Sequence, residues 1–227
     1  MTEPRPPSSP AVMLFRGAPV ILAVLFAFSI ATLVLLSWRG GTAAGDRVAI
    51  SFVAPCPVDT WQPLVAARAR DIGLGDPDVS SDGASVTLTA TLPGLADDRT
   101  AIPALLAREG TLEMRLEERV LATRSDLVSA APSVDEAGQP YALLTFTTEA
   151  AARIAEAGDG HDMTTLVDGE PRAAWMSTDT LKTQSVRLLE GGADNRERMR
   201  RAADDAIVLS HGPLPCAVRV DSISGAP

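Results

Sequence analysis

The chain has 227 residues, 46% of them hydrophobic, enough to build the core of one domain or two small ones. Formal net charge is −9, and the first 45 residues hold Arg5, Arg16 and Arg39 against Glu3 alone, so 17 basic and 28 acidic residues remain beyond them. A body near −11 repels phosphate backbones, and no basic stripe interleaved with aromatics offsets it, which speaks against nucleic-acid binding.

Residues 1–16 form a short tail rich in proline and serine. From Gly17 to Trp38 the sequence GAPVILAVLFAFSIATLVLLSW carries no charge. Those 22 residues suffice to cross a hydrocarbon core of ~30 Å as a helix, so residues 17–38 are predicted to be one transmembrane helix. The rival is a cleaved signal peptide, with Thr42-Ala43-Ala44 as the cut, but its apolar region is ordinarily shorter. Counting positive charge leaves orientation open, since Arg5 and Arg16 precede the run and Arg39 and Arg47 follow it. The small N-terminal tail and a pair of cysteines favour N-terminus inside and the folded part outside. The expected location is therefore the inner (cell) membrane, single-pass, with an extracytoplasmic C-terminal domain. Residues 39–46 read as a flexible tether.

Residues 47–53, RVAISFV, alternate as a half-buried strand does. Asp59 or Thr60 is a candidate cap for a helix whose Trp61, Leu64, Val65 and Ile72 share a face, ended by Gly73. Pro77 and Asp78 lead into a short strand, Asp82-Gly83 is a turn, and residues 84–92 alternate again. Thr100 is a candidate cap for a helix bearing Ile102, Leu105 and Leu106, with Gly110 as terminator. TLEMRLEER (111–119) reads as a strand, residues 122–139 as a polar stretch, YALLTFT (141–147) as a strand and 149–157 as a short helix. MTTLV, Asp168-Gly169 and PRAAWM predict a hairpin. Asp194 with Glu197 predicts a capped helix to about Leu209, with an apolar stripe of Met199, Ala202, Ala203, Ala206 and Ile207. A last strand covers 217–223. Strands and helices mix without regular alternation, so the fold class is α+β.

The order of these segments resembles SecD-type protein-export subunits. RARDIGLGDPDVSSDGASVTLTATLPGL is similar to that family's Arg-rich helix end, Leu-Gly turn, strand and closing Leu-Pro-Gly. EGTLEMRL, LLTFTTEAAARIAE, LVDGEPRAAWM and HGPLPCAVRV are similar to its following strand, capped helix, Val-Asp-Gly hairpin and return strand. The resemblance covers about 47–221. It implies the first periplasmic domain: a ferredoxin-like base (47–110 and 213–223) and an inserted α+β head (111–212); residues 224–227 read separately as a disordered tail. The sequence given ends at Pro227 and its apolar run holds no acidic residue. Proton-driven export by this chain alone is therefore not expected; a fold and polypeptide contact are.

Catalytic candidates are weak. Asp97-Asp98 and Asp204-Asp205 are adjacent in sequence, so their side chains diverge on a helix and make no acid/base dyad. Asp71, Asp76 and Asp78 lack the spacing of a calcium loop, and two cysteines with two histidines are too few for the usual zinc site. His161 and His211 read as loop and helix-end residues. No enzyme, cofactor, metal or small-molecule substrate is expected. Contact with exporting polypeptides or translocon subunits is expected on the head, with Trp175 and Met176 as candidates; an envelope scaffold that reuses the domain is the alternative. In a ferredoxin-like base the first and last strands are antiparallel neighbours, which predicts a disulfide between Cys56 and Cys216.

Overall fold

The computed structural model describes residues 46–83, 85–92, 98–157, 163–175 and 183–225. The predicted span 17–38, Asp97, His161 and Met176 lie outside the described residues. Among the described residues no helix is long and apolar enough to cross a membrane.

Two antiparallel sheets organise the folded part. In the smaller, β1 (Arg47–Val53), β2 (Gly75–Ser81), β3 (Ser85–Thr91) and β11 (Arg219–Gly225) are ordered β11-β1-β3-β2. β1 lies centrally because Val48, Ile50 and Phe52 alternate inward and are at most 1% exposed. Register runs Ile50↔Leu88 on one side and Ile50↔Ile223 on the other. One face is covered by α1 (Val58–Asp71) and α2 (Asp98–Leu106), which bury Trp61, Val65, Ala69, Ile102 and Leu106 against it.

Helix α1 differs from expectation at its start. Pro57 is its N-cap, and the Thr60 hydroxyl donates to the Pro57 carbonyl instead of receiving a backbone N–H. Its end follows the prediction: Gly73 N–H donates to Arg70 and Leu74 N–H to Ala69, a wrapped helix terminus. Thr100 lies within α2, not before it.

The larger sheet is ordered β5-β4-β8-β9-β10-β7-β6. Its strands are β4 (Leu112–Leu116), β5 (Arg119–Thr123), β6 (Leu127–Val134), β7 (Pro140–Phe146), β8 (Met163–Val167), β9 (Glu170–Trp175) and β10 (Ser185–Leu189). The stretch read as polar thus contains the last two residues of β5 and all of β6, separated by one 3-10 turn at Arg124–Asp126. That turn is closed by Asp126, whose carboxylate accepts from Thr123 N–H at 2.9 Å. The Asp168-Gly169 hairpin forms as predicted, with φ of 52° and 78°, the pair of left-handed residues that a two-residue turn requires.

Two helices complete the larger layer. α3 (Thr148–Glu156) is capped by Thr147, whose hydroxyl accepts from Ala150 N–H. α4 (Asn195–His211) is capped by Asp194, which accepts from Glu197 N–H at 2.8 Å, while Glu197 accepts from Ala193 N–H. Helix α4 belongs to both cores: Val208 packs with the smaller sheet, Ala202 and Leu209 with the larger.

Candidate functional site

Where the chain leaves the smaller sheet after α2 and returns after α4, a buried arginine joins the crossings. Arg68 sits on α1 at the spacing of Trp61, Val65 and Ile72 and is fully buried. Its guanidinium donates to the Leu106 carbonyl at 3.2 Å, to Arg108 at 2.5 Å and to Gly212 at 2.9 Å. Burial pulls its pKa down to about 10 despite the pull of Asp168, so it stays charged at neutral pH. Leu214 N–H to the Glu109 carbonyl, at 2.7 Å, zips the two crossings together.

A second shell of charge locks the larger sheet to this point. Arg108 donates from Nε to Asp168 Oδ2 at 2.7 Å and from Nη1 to Asp205 Oδ1 at 2.5 Å. Burial alone lowers the Arg108 pKa, but Asp205 and Asp168 outweigh it and leave the pKa raised. Asp168 Oδ1 accepts from Gly110 and Thr111 N–H at 2.6 and 2.8 Å, so the tip of the β8–β9 hairpin holds the start of β4. Asp205 is 2% exposed on α4, with Arg172 of β9 at 3.7 Å. Beside it, at the end of β10, Glu190 is 9% exposed; burial and then the Asp205 charge push its pKa up to about 8.

Among the described residues the larger sheet packs its helices on one face. Ala142, Leu144, Leu188 and Val186 point to α4 and the core, whereas Tyr141, Leu143 and Leu189 lie on the other face. Backbone register pairs Trp175, at the end of β9, with Arg187, and Arg187 with Leu143. Ala173 and Leu189 are exposed there, and the Arg187 guanidinium stacks over the Tyr141 ring at 5.0 Å. Of the two candidates for polypeptide contact, Trp175 is thus placed by backbone register; Met176 lies beyond the described residues.

Cys56 and Cys216 are joined by a disulfide, with Cα atoms 6.2 Å apart. They flank the β1–β11 pairing, where Val53 faces Arg219. His211 Nε2 lies 2.7 Å from Asp71 Oδ2 and ties the end of α4 to the end of α1. Asp204 and Asp205 are separated in environment, since only Asp205 is buried. Among the described residues no group of three or more His, Cys, Asp or Glu could hold a metal ion. Sequence reasoning missed Arg68, Arg108 and Glu190. A signal existed for Arg68, an arginine in register with an apolar helix stripe; none existed for Glu190.

No protein-family model matches the chain, and no curated protein matches it. Among solved structures, SecDF in a super-membrane-facing form superposes with a TM-score of 0.59 at 20% identity over 92% of this chain and 35% of that one. The chain has a SecD-like fold. A second chain, from SecDF described as a membrane component that enhances protein export, gives 0.55 at 20% identity, covering 78% of this chain and all of that one. The SecD-like chain spans about a third of the first structure's length (35%).

Proposed function

We propose that this chain is a membrane-anchored, extracytoplasmic SecD-like domain that takes part in protein export as a non-catalytic partner of exporting polypeptides or of the translocon. The observation that carries the reading is the match of nearly the whole folded part to SecDF, one of whose solved chains is described as enhancing protein export. The strand order β11-β1-β3-β2 with helices on one face reads as a ferredoxin-like base. The seven-stranded sheet then reads as the inserted head, and residues 17–38 as its anchor in the cell membrane.

Contact falls on the face of the larger sheet that the described helices leave open. Leu143 and Leu189 give that face apolar footholds, and an extended chain is met by such surfaces through alternate side chains. Photo-crosslinkers at Ala173, Trp175 and Leu189, in membranes of cells holding a stalled secretory chain, are expected to capture that chain. A crosslinker at Asp78 on the smaller sheet is expected to capture none. Capture of translocon subunits alone moves the contact to the export machinery. Capture of other envelope proteins, with neither, replaces the reading with an envelope scaffold.

A further inference from the structure

Four buried polar atoms on α4 and the larger sheet have no hydrogen-bond partner: Glu190 Oε1, Asp205 Oδ2, Arg172 Nε and Thr165 Oγ1. Their residues come from four elements, the end of β10, α4, β9 and β8. Two carboxyl groups, Glu190 and Asp205, are each at least nine-tenths buried, with an oxygen apiece unsatisfied, and interact directly with one another. Buried polar atoms are almost always paired, so a missing donor is expected here.

The surrounding cations do not supply it. Arg108 already serves Asp168 and Asp205. Arg172 Nε stays 3.7 Å from Asp205, outside hydrogen-bond range. Arg201 of α4 is engaged by Glu197 at 2.6 Å, and Arg68 of α1 gives Nη1 and Nη2 to the Leu106, Arg108 and Gly212 carbonyls. Ionising both carboxyls would set two anions together in a dry place.

We propose that Glu190 and Asp205 form a one-proton latch, in which a shared proton holds the end of β10 against α4 and its release to solvent frees that corner of the larger sheet. The proton converts one acceptor into the donor both oxygens lack. Glu190 closes a five-residue strand whose neighbour β9 carries Trp175, so the latch sets the order of the sheet next to the proposed contact face, whatever that face binds.

The direction with pH follows. Unfolded or unlatched, Glu190 ionises like an ordinary carboxyl, near 4.5; latched, burial and Asp205 hold it up to about 8. Between those values the latched state carries one proton more, so latching weakens as pH rises and levels off above about 8.

Hydrogen exchange of the full-length chain, corrected for intrinsic rates, tests this. Protection at residues 185–190 and 201–207 is expected to fall about tenfold per pH unit between about pH 6 and about pH 8, then level. In Glu190→Gln, where a neutral amide donates permanently, the slope should vanish. An equal slope in that variant overturns the latch. Carboxyl carbon NMR of the unaltered chain gives a measurement that needs no variant. One glutamate titrating near 8 is expected, and all glutamates titrating together in the ordinary range would overturn the proposal.

Discussion

At the scale of single residues the junction turns on Gly110 and Arg68. Gly110 has φ 77°, and a Cβ there would come within 2.7 Å of Arg68 Nη2 and 2.9 Å of the Gly212 carbonyl oxygen. Neither neighbour can give way, because Arg68 is held by three carbonyls and Gly212 is backbone. Gly110→Ala is therefore expected to cost more than about 2 kcal/mol, from the left-handed backbone and the clash together. Urea unfolding of the variant checks it, and a loss under about 0.5 kcal/mol would show that the crossing relaxes freely. The sequence made Gly110 legible as a helix stop but not as a packing site. The partner that makes it one, Arg68, was read only as part of an Arg-rich helix end although it stands three residues after Val65 and four before Ile72. Spacing placed it on the buried face; its charge argued the other way, and three carbonyl acceptors reconciled the two.

Among the elements, helix α4 was legible at its start and opaque in its middle. The cap is a local matter of Asp194 meeting a backbone N–H three residues on, and the sequence states it. Asp194→Ala is expected to cost about 1 kcal/mol, seen as a lower urea midpoint with an unchanged slope. An unchanged midpoint would mean that packing alone fixes the first turn. The middle was misread because α4 serves two cores, so its buried set of Ala202, Ala203, Asp205, Ala206, Val208 and Leu209 is wider than one stripe. Strands β5 and β6 escaped for other reasons. β6 carries Pro132 and many small residues, tolerable on an edge strand where no partner needs the missing N–H. β5 falls across the boundary between the strand read at 111–119 and the polar stretch read at 122–139.

Across the molecule, the mixed class and the sheet hairpins followed from alternation and turn chemistry, whereas the contact of α4 with both sheets needed coordinates. The Cys56–Cys216 bond closes 160 positions, and in the chain-entropy model opening it costs about 5 kcal/mol. Cys216→Ser is accordingly expected to unfold at a clearly lower urea concentration than the parent, while the oxidised parent yields no free thiol on alkylation. Two reactive thiols in the untreated protein would contradict the bond.

The same bond has a mechanical consequence. A pull applied to the two ends of the folded part enters through β1 and β11 and meets the covalent bridge just beyond their pairing. The tension then passes from Cys56 to Cys216 without entering the loop between them. The described residues of that loop, with α4, the carboxyl pair and β9, hang slack beside a loaded two-strand ribbon. Only a force applied directly to the larger sheet can strain it.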